Sequence, residues 1–296
     1  MDGKKLTQAV LDFLDEDTVS DLYAGAREIY ENLDLSVQIF ARETGILHKM
    51  FDITMVASQQ NYDIPPDYVR PHMKDTRSKY IARYYDGANY SWVTMASYEK
   101  LFRANYTTER STPGRFAVID KADKEDLIQG TVDSDGAKSG GQCILHDASM
   151  LFNTTNKVYP RDIIHNTTDG SDGYVLSVTD DTHLVVALFE GTDDDFTNGD
   201  SYIIQPAAEK QIFLDAPSES SGDVFTFPYV CLPTPVFSDY GFWRISPRAC
   251  KAIAAGAAAL FKMPKREFKE SDKIGGLFAA EVTRMRRETA QARIQG

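Results

Sequence analysis

The chain has 296 residues and a formal net charge of −12, long enough for two domains with cores of their own. Its cysteines, Cys143, Cys231 and Cys250, are odd in number, widely spaced and without a CxxC, which excludes a zinc finger and points to a reduced, intracellular protein rather than a disulfide framework. The opening MDGKKLTQAVLDFLDED has no continuous apolar core, so no secretory signal is expected, and the most apolar run, Ala252 to Phe261, is too short to span a bilayer.

The N-terminal part reads as helices. Leu6, Val10, Phe13 and Leu14 form a short stripe, and Leu22, Ala26, Ile29, Leu33, Val37 and Phe40 form a longer one. Spacings of three and four are helical, Thr18 with Asp21 makes a capping pair, and Gly45 is a stop. The period then changes to two. Phe51, Ile53, Met55 and Ala57 alternate, a polar turn follows, and Tyr62 and Ile64 resume before Pro65-Pro66. Two further strands flank the Asp86-Gly87 turn, and a short helix capped by Ser97 comes next.

GRFAVID (Gly114 to Asp120) reads as another strand, and its continuation, KQIFLDAPSESSGDVFTFPYVCLPTPV, begins only at Lys210. Between them lies a block rich in Gly and Asp with strand signals YVLSVT, HLVVALF and SYII. From Gln129 to Gln205 it carries 13 Asp and Glu against three Lys and Arg, a balance that repels nucleic acid. Insertion at a hairpin tip leaves the host strands free to pair. The expected domains are therefore a host, 1–126 and 207–296, and an inserted acidic all-β domain, 127–206. The expected fold class is α+β: a helical bundle with a small antiparallel sheet, plus the inserted domain as a sandwich or barrel-like body. At the C-terminal end Ser246-Pro247 opens an alanine-rich helix, where Ala252, Ala255, Gly256 and Ala259 allow close packing in a core or a ring. A last helix follows Pro264 with a stripe at Ile274, Phe278, Val282 and Met285. From Lys262 to Gly296 there are nine Lys and Arg against five Asp and Glu, and beyond Met285 almost nothing is apolar.

Catalytic signatures fail on the residues. GAKSGGQ has the glycine spacing of a phosphate loop, but Gln142 and Cys143 stand where Lys and Ser or Thr are required. GxSxG and GxGxxG do not occur, and His48, His72, His146, His165 and His183 show no HxxxH. Cys143 beside His146-Asp147 is a weak thiol–imidazole candidate. The acidic turns fit no EF-hand register around Gly136, Gly173 or Gly199. A non-EF calcium site from Asp193, Asp194, Asp195 and Asp200 stays open beside the plainer reading as tight turns. No cofactor, metal or catalytic residue is expected.

With the insert skipped, the segment order resembles the head-to-tail adaptor (connector) proteins of tailed bacteriophages. Tyr62, Ile64, Pro65 and Asp67 match a YxLPxD step. Phe213 to Pro217 and Phe225 to Val236 match a later strand pair of the type xLxPxP…xLxYxxxPxPL, and Ala249 to Leu260 matches an alanine-rich helix. Pro66 and the insert of about 80 residues depart from the minimal pattern. The insert is itself similar to small β modules of phage virion proteins. The resemblance implies a structural virion protein without enzymatic activity, located at the neck of the virion and in the host cytoplasm during assembly. It would form a ring, commonly twelve-fold, under the portal protein, and join it to the next neck or tail protein, a tail tube, nozzle or fibre. Genomic DNA would pass through without specific binding, and no membrane is involved. The C-terminal segment would reach the portal, bringing Arg284, Arg286, Arg287 and Arg293 to that interface. The alternative is a virion or tail-associated binding module for glycan or calcium on a helical scaffold.

Overall fold

The computed structural model describes residues 1–19, 25–104, 111–121, 127–207, 210–240 and 245–295, with side chains given to Glu288 in the last helix. Helices α1 (Gly3–Leu14) and α2 (Ala26–Thr44) open the chain. Then come β1 (His48–Thr54), β2 (Asn61–Asp63), β3 (Tyr68–Pro71), β4 (Ile81–Tyr85), β5 (Tyr90–Met95), α3 (Tyr98–Ala104) and β6 (Arg115–Asp120). The acidic block supplies β7 (Ile128–Thr131), β8 (Cys143–His146), β9 (Ile163–Asn166), β10 (Ser171–Val178), β11 (His183–Phe189) and β12 (Ser201–Gln205). Strands β13 (Lys210–Leu214) and β14 (Val224–Cys231) precede α4 (Pro247–Lys262) and α5 (Phe268–Gln295).

This corrects the expected fold class. The protein is mostly β, with two barrel-like sheets and five helices among the described residues, not a helical bundle carrying a small sheet. The sheet exceeds that expectation because β3, β7, β8 and β9 have only four residues each, too few to show a period of two.

The chain divides into two units, Leu47–Lys124 with Ala208–Cys231, and Met1–Ile46 with Glu125–Ala207 and Leu232–Gly296. The first is a nearly closed sheet in the order β1-β14-β4-β5-β6-β13-β2, with β3 added on β14. Alternation turns one face of each strand inward. Tyr84, Val93, Phe116, Phe225, Phe227 and Tyr229 are buried there, with the Phe116 ring edge-on to Phe225 and Phe227 at 5.6 and 5.4 Å. As expected for strands flanking an insertion, β6 and β13 pair antiparallel, Asp120 opposite Lys210. Tyr62 is the register partner of Ile212, and its hydroxyl accepts the Val56 N–H at 3.0 Å, which ties down the polar turn before β2.

In the second unit the six-stranded sheet β7-β12-β9-β10-β11-β8 is a half-barrel. One face buries its own core, including Leu145, Phe152, Val186 and Tyr202. Leu176, Ala187 and Phe189 instead join the cluster of Leu6, Ile29, Val37, Ile253 and Phe261 from the helices. The stretch 127–206 thus shares a core with the helices. Helix α4 lies within that core because its small side chains let neighbours approach. A Cβ on Gly256 would stand 2.4 Å from Ser36 Oγ and 2.9 Å from the Phe278 ring. Its start follows the expected cap, Ser246 Oγ accepting the Ala249 N–H at 3.2 Å before Pro247. Gly45 ends α2 with φ 59°, as its sequence position predicts. Asp21, half of the expected capping pair of α2, lies outside the described residues.

Polar bonds cross the same junction. Tyr174 stacks on Phe237 at 4.2 Å and donates to Glu31 at 3.1 Å. Arg161, 8% exposed and at φ 85°, puts Nη1 at 2.5 and 2.7 Å from the Asp34 carboxylate oxygens and donates from Nη2 to the Pro233 carbonyl at 2.8 Å. Removing one partner of a buried pair strands the other charge at a cost of about 3–5 kcal/mol. Asp34→Ala is therefore expected to lower unfolding free energy by about that amount in urea titrations. The double variant Asp34→Leu/Arg161→Met should lose much less; equal losses would show that the pair is not what matters.

Candidate functional site

The acidic turns are built from carboxylates spent on the backbone. Asp169, just after β9, accepts the N–H groups of Thr192, Asp193 and Asp194 at 2.8, 2.9 and 3.0 Å. Partial burial works to raise its pKa, but the donors at Asp193, Ser171, Asp194 and Thr192 outweigh it and hold the carboxyl below its usual range. Asp194, at φ 52°, accepts from the Gly191 N–H at 2.8 Å. Asp200 accepts from the Thr197 N–H and from Asn166 Nδ2 at 2.9 and 3.0 Å. A shallow hollow of about 230 Å³ lies beside Asp193, Asp195 and Asp200. Burial, then repulsion from Asp193, Asp169 and Asp200, push the Asp195 carboxyl up against the pull of Lys138. Among the described residues, no group of three or more His, Cys, Asp or Glu is arranged to hold a metal ion. Of the four aspartates considered as calcium ligands, two are committed to turns.

The other sequence candidates also find their places. GAKSGGQ is a tight turn, with Gly140 and Gly141 at φ 58° and 78° and Ser139 bonded to the Tyr240 hydroxyl at 3.0 Å. Cys143 faces the core and burial pushes its thiol up to about 12. His146, three residues on, leaves on the opposite face of β8 and pairs with Asp133, so thiol and imidazole do not meet. Ala252, Ala255, Gly256 and Ala259 are buried among the chain's own helices, which makes them core rather than free surface. No helix of the described residues is long and apolar enough to cross a membrane.

The C-terminal arginines differ from one another. Arg284 is held by Glu281 and Glu288, and these pairings raise its pKa further. Arg286 pairs with Glu43 at 3.0 Å. Arg287 is exposed and has no ion pair among the described residues. The Arg293 side chain lies outside the described residues. Met285 is the last buried side chain described on α5, and the helix continues to Gln295, about 15 Å further at 1.5 Å per residue.

A different surface carries no motif. It lies on the outward parity of β4, β5 and β6, where Arg83 is opposite Trp92, Tyr85 opposite Tyr90, and Thr94 beside Arg115. Tyr90 and Trp92 are each 63% exposed. The Arg83 guanidinium sits 4.6 Å from the Tyr90 ring centroid, and Tyr85 stacks on the same ring at 4.6 Å. Alongside opens a cleft of about 570 Å³ bordered by Lys79, Tyr80, Thr94, Ser97, Lys100 and Arg115. The signal in the sequence was RYYDGANYSW, large aromatics on the parity opposite to Ala82, Tyr84 and Val93.

A scan against models of known protein families and a search of curated proteins each return no match. If the acidic turns are structural, millimolar calcium should leave the thermal midpoint unchanged. Asp169→Asn should lower stability by about 1–3 kcal/mol, since it weakens the acceptor for three N–H groups. A rise of several degrees with calcium in differential scanning calorimetry would contradict this.

Proposed function

We propose that the chain is a structural virion protein of a tailed bacteriophage. In this reading it forms a ring under the portal, extends the DNA channel and joins head to tail. The observation that carries it is how the segments resembling the head-to-tail adaptors come together. Tyr62 of the YxLPxD-like step pairs with the strand preceding Pro217, and Asp67 accepts from the Tyr229 hydroxyl at 2.7 Å across 162 residues of sequence. Short motif likenesses that share one sheet support a common origin better than likenesses scattered over a chain.

A ring of this kind does not require a helical bundle. The alanine-rich helix is used up in the core, so ring contacts fall to other surfaces, and the C-terminal end of α5 with the exposed Arg287 is the part offered to the portal. A net charge of −12 suits a channel wall that DNA passes without adhering, because adhesion to phosphate needs Lys and Arg contacts.

The test is assembly on the portal of the same phage. Mixed with portal, the protein should co-sediment and appear as a ring in electron micrographs, and Arg286→Glu/Arg287→Glu should weaken that binding at least tenfold. No complex with portal, together with absence of the protein from purified virions by mass spectrometry, would overturn the reading.

A further inference from the structure

We propose that the outward face of β4 and β5, with the adjoining cleft of Lys79, Lys100 and Arg115, is the surface on which a second copy of this chain docks, presenting the acidic turns of its own residues 165–204. The inference rests on the ring reading, while exposed aromatics, cations and acidic turns supply the contact.

The basic side is built and unspent. In the register of these strands the inward residues Ala82, Tyr84 and Val93 are buried, while Tyr90 and Trp92 stand in solvent on the other parity. Burying rings of this size removes about 150–250 Å² of surface each, and Trp, Tyr and Arg are the residues that dominate interface energies. Arg83 and Tyr85 already pack on Tyr90, so little side-chain freedom remains to be lost on binding.

The neighbouring cleft adds Lys79, Lys100 and Arg115, with no acidic residue on its lining. Lys79 is set by a tight turn in which Asp75 Oδ1 accepts the N–H groups of Arg77 and Lys79 at 2.9 and 2.8 Å. None of the three cations forms an ion pair within 4.0 Å among the described residues. The acids nearby are engaged elsewhere. Glu99 is paired with Arg103 at 3.0 Å. Asp215 accepts the Gly114 N–H at 3.0 Å, and burial pushes its carboxyl up against the backbone N–H groups of Arg115 and Gly114 and the Arg115 charge.

Charge complementarity names the occupant. The unit containing this face has 13 Lys and Arg and 13 Asp and Glu, so the whole net charge of −12 resides in the other unit, with 19 against 31. Within that unit His165 to Ile204 carries nine Asp and Glu and not one Lys or Arg. Asp193 and Asp195 on it accept no hydrogen bond through their carboxylates among the described residues; Lys138, which donates to the Asp193 carbonyl and attracts Asp195, is the cation placed beside them. A contact between two different patches is heterologous and repeats around a ring when the rotation closes.

Sedimentation velocity of the full chain at low and high salt tests the contact. Wild type should self-associate at 50 mM NaCl and dissociate at 500 mM. Lys79→Glu/Lys100→Glu/Arg115→Glu, Trp92→Ala and Asp193→Lys/Asp195→Lys should each weaken association at least tenfold. Mixing the first of these variants with the last should restore it. Unchanged thermal midpoints would show that the variants fold. A wild type monomeric at every concentration, or variants that associate like wild type, would overturn the inference. So would quenching of Trp92 fluorescence by oligo(dT) with no self-association, which would make the occupant a nucleic acid. If the variants still form rings on portal, this contact fails and the adaptor reading stands; if wild type self-associates but never binds portal, the reverse holds.

Discussion

A charge that cannot be left alone organises the helical unit. Arg161 is buried at a left-handed corner of the chain, where its Nη atoms meet Asp34 on α2 and the Pro233 carbonyl while Nε has no partner among the described residues. Taking such a group out of water costs several kcal/mol unless its partner is in place. Three segments far apart in sequence therefore have to arrive together: the β stretch, the second helix and the approach to α4. Tyr174 on Phe237 and Arg27 with Glu190 reinforce the same junction. Buried pairs of this kind are weak sources of net stability, but they penalise every arrangement that separates the partners. A β stretch that could have hung from a hairpin tip is instead held against helices.

Local chemistry was legible in the residues. Gly45 stops α2, Ser246-Pro247 starts α4, Gly87 turns the β4–β5 hairpin at φ 88°, and YVLSVT, HLVVALF and SYII fall on β10, β11 and β12. The pairing of β6 with β13 across the acidic block followed from the interrupted strand pattern. The balance of sheet to helix was not legible, because β3, β7, β8 and β9, of four residues each, leave no periodic trace. Nor was the shared core, since Arg161 with Asp34 and Tyr174 with Phe237 are long-range choices that no spacing announces. The basic aromatic face was written in the outward parity of RYYDGANYSW, but parity has meaning only once the inward side is known.

Function follows from how the surfaces divide the charge. The unit of the large sheet is neutral overall and shows aromatics beside cations that form no ion pair among the described residues; the helical unit holds the acidic excess, with part of it locked into turns by Asp169, Asp194 and Asp200. The self-contact proposed here would draw on that division of charge, the acidic turns of one copy meeting the cations of the next. The ring under a portal is the assembly we propose for it.

Everything above depends on the acidic β stretch and the helices folding as one body. Hydrogen exchange of the full chain in increasing sub-denaturing urea measures this directly. Amides of β9, β10 and β11 should share one opening free energy with those of α2 and α4, converging as urea rises. Exchange of the β stretch at distinctly lower urea, with the helices still protected, would show a separate domain and contradict the account.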